Sequence, residues 1–171
     1  MEQNIIEFPI GDFSDDGHGH CEYYYCTTPK TLNEVRETHF QLKEEFGVSI
    51  GDFCREYDSY QIPGKPVENL RTMGFPIDDW VSFSDGMCCF FDPCKMSDEL
   101  YRKNMPDDSG KHWDNPMFEM FVLWTHILNF VNPDLKLKWY DIKKGVQSIN
   151  FYGTDEKGRH LRVPGYGLFC G

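Results

Sequence analysis

The chain is expected to fold as an α+β domain with a mainly antiparallel sheet covered by helices. Three features predict this. The apolar pattern changes along the chain from period two to spacings of three and four and back again, in the order hairpin, helices, hairpin, helices, meander, without the strict β-α alternation of a doubly wound sheet. A capping box opens one amphipathic helix, and an Asp-Gly dipeptide between two apolar runs marks a central hairpin.

Residues 4–9 and 18–26 are rich in strand formers and flank a Gly- and Asp-rich stretch, which predicts an N-terminal hairpin. Thr31-Leu32-Asn33-Glu34 is the capping box. Leu32, Val35, His39, Leu42 and Phe46 then recur at spacings of three and four until Gly47, so one stripe of this helix should be buried. Shorter helices are expected at 50–57, begun by Ser49, and at 66–73, where Pro66 suits the first turn and Gly74 the end.

Trp80 to Ser84, Asp85-Gly86 and Met87 to Phe91 form the hairpin signal, because Asp-Gly tolerates the two positive φ values of a type I′ turn. Pairing Ser84 with Met87 would put Val81, Phe83, Cys88 and Phe90 on one apolar face. A helix should follow Ser97, with a loop from Pro106 to Gly110. From Pro116, the residues Met117, Met120, Phe121, Trp124, Leu128 and Val131 share one helical face until Asn132-Pro133 stops the helix. Phe118 and Val122 make its other side apolar as well, which predicts a central position.

Leu135, Leu137 and Trp139 alternate with Lys136, Lys138 and Tyr140, the pattern of a strand with one wet, basic face. Strands at 146–153 and 159–164, joined by a turn at Asp155-Glu156-Lys157-Gly158, would complete a C-terminal meander. With 171 residues, no repeat and no linker-like run, residues 1–171 are expected to form a single domain.

Net charge is −11, and it is unevenly spread. Residues 1–132 hold 10 basic and 24 acidic side chains, a balance of −14, whereas residues 133–171 hold 7 and 4, a balance of +3. An acidic field of this kind disfavours nucleic acid and anionic membranes and favours a basic protein surface or a cation as partner. The N-terminus lacks the basic-then-apolar pattern of a secretory signal, and Phe118 to Val131 is too short for a bilayer span. A cytoplasmic protein is therefore expected. Its seven cysteines include no CxxC pair, which points to reduced, structural thiols.

The densest chemistry lies in Gly11 to Glu22. If the strand begins near Asp16, then Asp16, His18, His20 and Glu22 project from one face at period two, and two imidazoles with two carboxylates suit a divalent transition metal such as Zn, Mn, Fe or Ni. A metal-bound water could then support hydrolysis. The plainer reading is a Gly- and Asp-rich hairpin tip with a solvated polar face. A second candidate surface runs from Asp52 to Tyr60, where Asp52, Glu56, Tyr57, Asp58 and Tyr60 combine acids with aromatic contact area. The plainer reading there is a short helix with Phe53 and Tyr57 turned inward.

His39 and His126 fall in apolar helical stripes and are expected in the core. His160 lies in the basic stretch 157–162, which could hold an anion but is commonly a solvated face. The phosphate-loop, dinucleotide-binding, GxSxG and HExxH motifs are absent, so nucleotide, serine-hydrolase and zincin chemistry have no sequence support. The expected function is an acidic interaction protein of the inhibitor, immunity or phage counter-defence type, engaging a basic partner surface. The alternative is a small metal-dependent hydrolase or ligand-binding protein built on the Asp/His-rich hairpin.

Overall fold

A computed structural model describes residues 4–11, 21–48, 61–82, 88–91, 116–141 and 150–151. These residues form an α+β fold. Strands β1 (Asn4–Gly11) and β2 (Cys21–Thr28) pair antiparallel from Asn4↔Thr28 to Gly11↔Cys21, which is the expected N-terminal hairpin. Because side chains alternate across a sheet, Ile6, Phe8, Tyr24 and Cys26 share a face, and that face meets the core. Ile5 and Glu7 point the other way and are buried too, so both faces of β1 are covered.

Helix α1 (Leu32–Phe46) begins at the expected capping box. The Thr31 hydroxyl accepts from the Glu34 N–H, and the Glu34 carboxylate accepts from the Thr31 N–H at 2.8 Å. The Thr31 N–H, then its hydroxyl, hold the Glu34 carboxyl below its usual pKa. Gly47, at φ +65, closes the helix with its N–H on the Leu42 and Lys43 carbonyls. Leu32, Val35, His39 and Leu42 of the expected stripe are buried, joined by Thr38, while Phe46 is half-buried. Thr31→Ala is expected to cost about 1 kcal/mol, the usual worth of an N-cap, measured by urea unfolding.

Strand β3 (Gln61–Pro63) leads directly into helix α2 (Gly64–Met73). Gly74, at φ +89, ends α2 in a Schellman pattern: its N–H donates to Arg71 O and the Phe75 N–H donates to Leu70 O, both at 3.0 Å. Ile77–Asp79 then form a 3-10 turn before β4 (Val81–Ser82), and β5 (Cys88–Phe91) follows. The antiparallel order is β3-β5-β4, with Pro63 tolerated because β3 is an edge.

The central hairpin pairs differently from expectation. Val81 faces Phe91 and Ser82 faces Phe90. Phe91, not Phe90, thus stands opposite Val81. The segment between Ser82 and Phe90 (83–89) has an odd number of residues, whereas a ladder continuing to a two-residue Asp-Gly turn requires an even number. β5 also satisfies a second partner, β3, which the Asp-Gly signal did not include.

Helix α3 (Pro116–Val131) has the expected limits, and every residue from Phe121 to Leu128 is buried. It packs on the β1–β2 face: Phe121 lies 5.9 Å from Phe8 and stacks on Tyr24 at 4.9 Å, while Phe118 meets Tyr24 edge-on at 5.4 Å. Asn132 ends it, and Pro133–Leu135 form a 3-10 turn. Leu135 and Leu137 are buried while Lys136 and Lys138 are exposed, so the alternation expected here holds, although the strand β6 is only Lys138–Trp139.

The C-terminal meander is a correction. β6 pairs antiparallel with β2, and β7 (Asn150–Phe151) pairs parallel with β1, giving the order β6-β2-β1-β7. Since β1 is itself antiparallel to β2, β6 and β7 run in the same direction at opposite edges and cannot be consecutive strands of a meander. Each caps a free edge of the hairpin instead. The helices expected at 50–57 and after Ser97, the 106–110 loop and the 159–164 strand lie outside the described residues.

Candidate functional site

The outward face of α1 follows from its buried one. Residues at helical spacing opposite Val35, His39 and Leu42 must meet solvent, and Glu37, Phe40, Gln41, Glu44 and Glu45 do. Phe40 is 46% exposed, unusual for so large an apolar side chain. Three and four residues away stand Glu37 and Glu44 on one flank, with Arg36 and Lys43 on the other. Glu37 and Glu44 have no ion-pair partner among the described residues.

A cleft of about 570 Å³ opens elsewhere, where three segments meet. The Schellman turn at Gly74 delivers Phe75 to one wall, where it meets Phe130 at 5.4 Å and 81°. Trp80 and His126 line the floor, their rings 4.8 Å apart. Lys136 and Lys138 supply the charge. The segment carrying the lysines is pinned: Leu137 donates its N–H to Asn129 Oδ1 at 2.9 Å and accepts from Asn129 Nδ2 at 3.0 Å, and Thr28 Oγ1 donates to Leu135 O at 2.5 Å.

Lys136 itself sits at φ +46, a left-handed conformation that residues with a Cβ seldom adopt. Sequence reasoning missed this cleft. Its signals were the helix-ending Gly74-Phe75-Pro76 and the Lys136/Lys138 alternation, but nothing local joins them.

Of the sequence-derived candidates, Asp52, Glu56, Tyr57, Asp58 and Tyr60 lie outside the described residues, as do Asp16, His18 and His20. Glu22 stands in β2 opposite Ile10. Among the described residues no group of three or more His, Cys, Asp or Glu side chains stands close enough to hold a metal.

The histidines expected in the core are there. His39 is fully buried with its ring edge-on to Trp124 at 5.7 Å, and burial, helped by the Lys43 charge, pushes its pKa down to about 4. His126 is 6% exposed. Cys26 is fully buried, and desolvation raises its thiol well above the ordinary value, which suits a structural, unreactive cysteine.

No described helix is long and apolar enough to cross a membrane. Comparisons with protein-family models, curated proteins and solved structures find no match to the chain.

Proposed function

We propose that this is an acidic interaction protein, of the inhibitor or immunity kind, that engages a basic protein surface. The observation that supports this most is the exposed Phe40 on α1, bordered by Glu37 and Glu44 on a chain of net charge −11. An exposed aromatic supplies the area that anchors an interface, and surrounding carboxylates raise the encounter rate with a positive surface. Asp52, Glu56, Tyr57, Asp58 and Tyr60 extend the same acidic and aromatic chemistry in this reading. Arg36 and Lys43 give the face a direction, since they repel a basic partner from one flank.

Affinity capture on the immobilised full-length chain tests it. Phe40→Ala and Glu37→Lys/Glu44→Lys should each weaken retention of a basic partner by about tenfold, the effect of losing roughly 1.4 kcal/mol. Charge reversal of Asp52, Glu56 and Asp58 should abolish retention, and raised salt should weaken it. Equal retention of every captured protein by all these variants sinks the proposal.

The metal-dependent alternative, using Asp16, His18, His20 and Glu22, rests on the period-two spacing of those residues running into β2. It predicts the reverse: stoichiometric metal lost in His18→Ala/His20→Ala, with no effect of the α1 variants.

A further inference from the structure

The cleft between Phe75, Trp80, Phe130 and Lys138 has no part in the docking of a basic partner, because its charged lining is positive. We propose that it is a binding site for a planar aromatic anion, a small molecule carrying a carboxylate or phosphate on a flat ring system. Its volume of about 570 Å³ lies within the roughly 300–1,000 Å³ range of sites that hold drug-sized ligands.

The walls select a flat body. Phe75 and Phe130 meet at 81°, so a ring that stacks on one presents its edge to the other. Phe130 is 41% exposed, and with Phe40 it is one of two large apolar side chains left this open among the described residues. A ligand body on Phe130 would remove that apolar surface from water. Trp80 and His126, both buried, back these walls with their rings 4.8 Å apart.

The rim selects the charge. Among the described residues, Lys136 and Lys138 are the charged side chains lining the cleft, and neither has an ion-pair partner there. Of the acids near these segments in sequence, Asp141 does not line the cleft. Asp78 is held by Arg71, with Nη2 at 2.7 Å and Nε at 3.0 Å, while Asp79 and Asp134 are exposed and do not line the cleft. Fields from charges more than about 8–10 Å from this pair are largely screened at physiological salt.

The rim is fixed in place: Lys136 ends the Pro133–Leu135 turn in a left-handed conformation, and its segment is held on both sides by Asn129 and Thr28.

Calorimetric titration of the full-length protein with 2-naphthoate, 2-naphthyl phosphate and the neutral 2-naphthamide tests the proposal. At least one anion should bind saturably and more tightly than the amide, and whichever binds better assigns the anionic group. Lys136→Ala/Lys138→Ala should weaken the anions by about tenfold, equivalent to roughly 1.4 kcal/mol, while changing the amide less than about twofold. Phe130→Ala should weaken all three. Both variants alter exposed side chains, and unchanged circular dichroism would confirm that they fold. The proposal is overturned if neither anion saturates at about millimolar concentration, the weak limit of roughly −4 kcal/mol, or if anion affinity is indifferent to the two lysines.

Discussion

Trp124→Ala is expected to remove about 3–5 kcal/mol of stability, the range for deleting a large buried aromatic. That is comparable to the whole stability of many domains, about 5–15 kcal/mol. The expectation rests on position. Trp124 is fully buried in the middle of a run, Phe121 to Leu128, in which α3 has no solvent face at all. On one side its ring meets His39 of α1, while one turn earlier Phe121 contacts Phe8 and Tyr24 of the β1–β2 sheet.

A cavity at Trp124 would therefore loosen the joint between helix layer and sheet. Surrounding side chains held by secondary structure on both sides can collapse into it only in part. Urea unfolding followed by far-UV circular dichroism measures the loss, and Phe130→Ala at the exposed end of the same helix serves as the control, with a much smaller effect. A loss below about 1 kcal/mol for Trp124→Ala, typical of surface or half-buried changes, would show that α3 is not the centre of the core.

Elements with local signals were legible in the sequence. Thr31-Glu34 and Gly47 bound α1, Gly74 ends α2, and Pro116 with Asn132-Pro133 bounds α3, because each of these residues acts on the backbone within one turn. The N-terminal hairpin was legible from two stretches of strand formers flanking a Gly- and Asp-rich one. What was not legible is what depends on distant partners. Gln61-Ile62-Pro63 is too short, and its proline too discouraging, to be read as a strand; it becomes one through pairing with Cys88, Cys89 and Phe90. Val81↔Phe91 and the parallel placement of Asn150 and Phe151 on β1 are likewise choices among registers and edges that side-chain alternation permits but does not rank.

The same division applies to function. Phe40 lies off the apolar stripe of α1, so its exposure follows from helical spacing alone. The cleft draws on Phe75 and Trp80, His126 and Phe130, and Lys136 and Lys138, three segments that only the packed α2–α3–β6 arrangement joins. A fully buried histidine could be inferred from its stripe, but the size of its pKa change required the surroundings.

That change makes His39 a defined source of acid sensitivity. Its pKa moves from 6.5 to about 4, with desolvation the larger cause and the Lys43 charge the smaller. The folded value is the lower one, so between these pH values the unfolded chain takes up a proton at this site that the folded chain refuses. Stability contributed by neutral His39 is therefore complete above about pH 6.5, falls as pH drops, and levels off below about pH 4.

At pH 5 the gap from the unfolded pKa is about 1.5 units, equivalent to roughly 2 kcal/mol lost relative to pH 7. The contribution of the other ionisable groups is common to wild type and variant. His39→Leu keeps an apolar side chain against Trp124 and removes the titration. Comparing urea unfolding of both proteins at pH 7 and pH 5, the wild type should lose about 2 kcal/mol more than the variant over that interval. Identical pH dependence in the two proteins would mean that His39 accepts a proton in the folded state. Burial would then not set its charge, and the α1–α3 joint would have to admit water or a counter-charge at its centre.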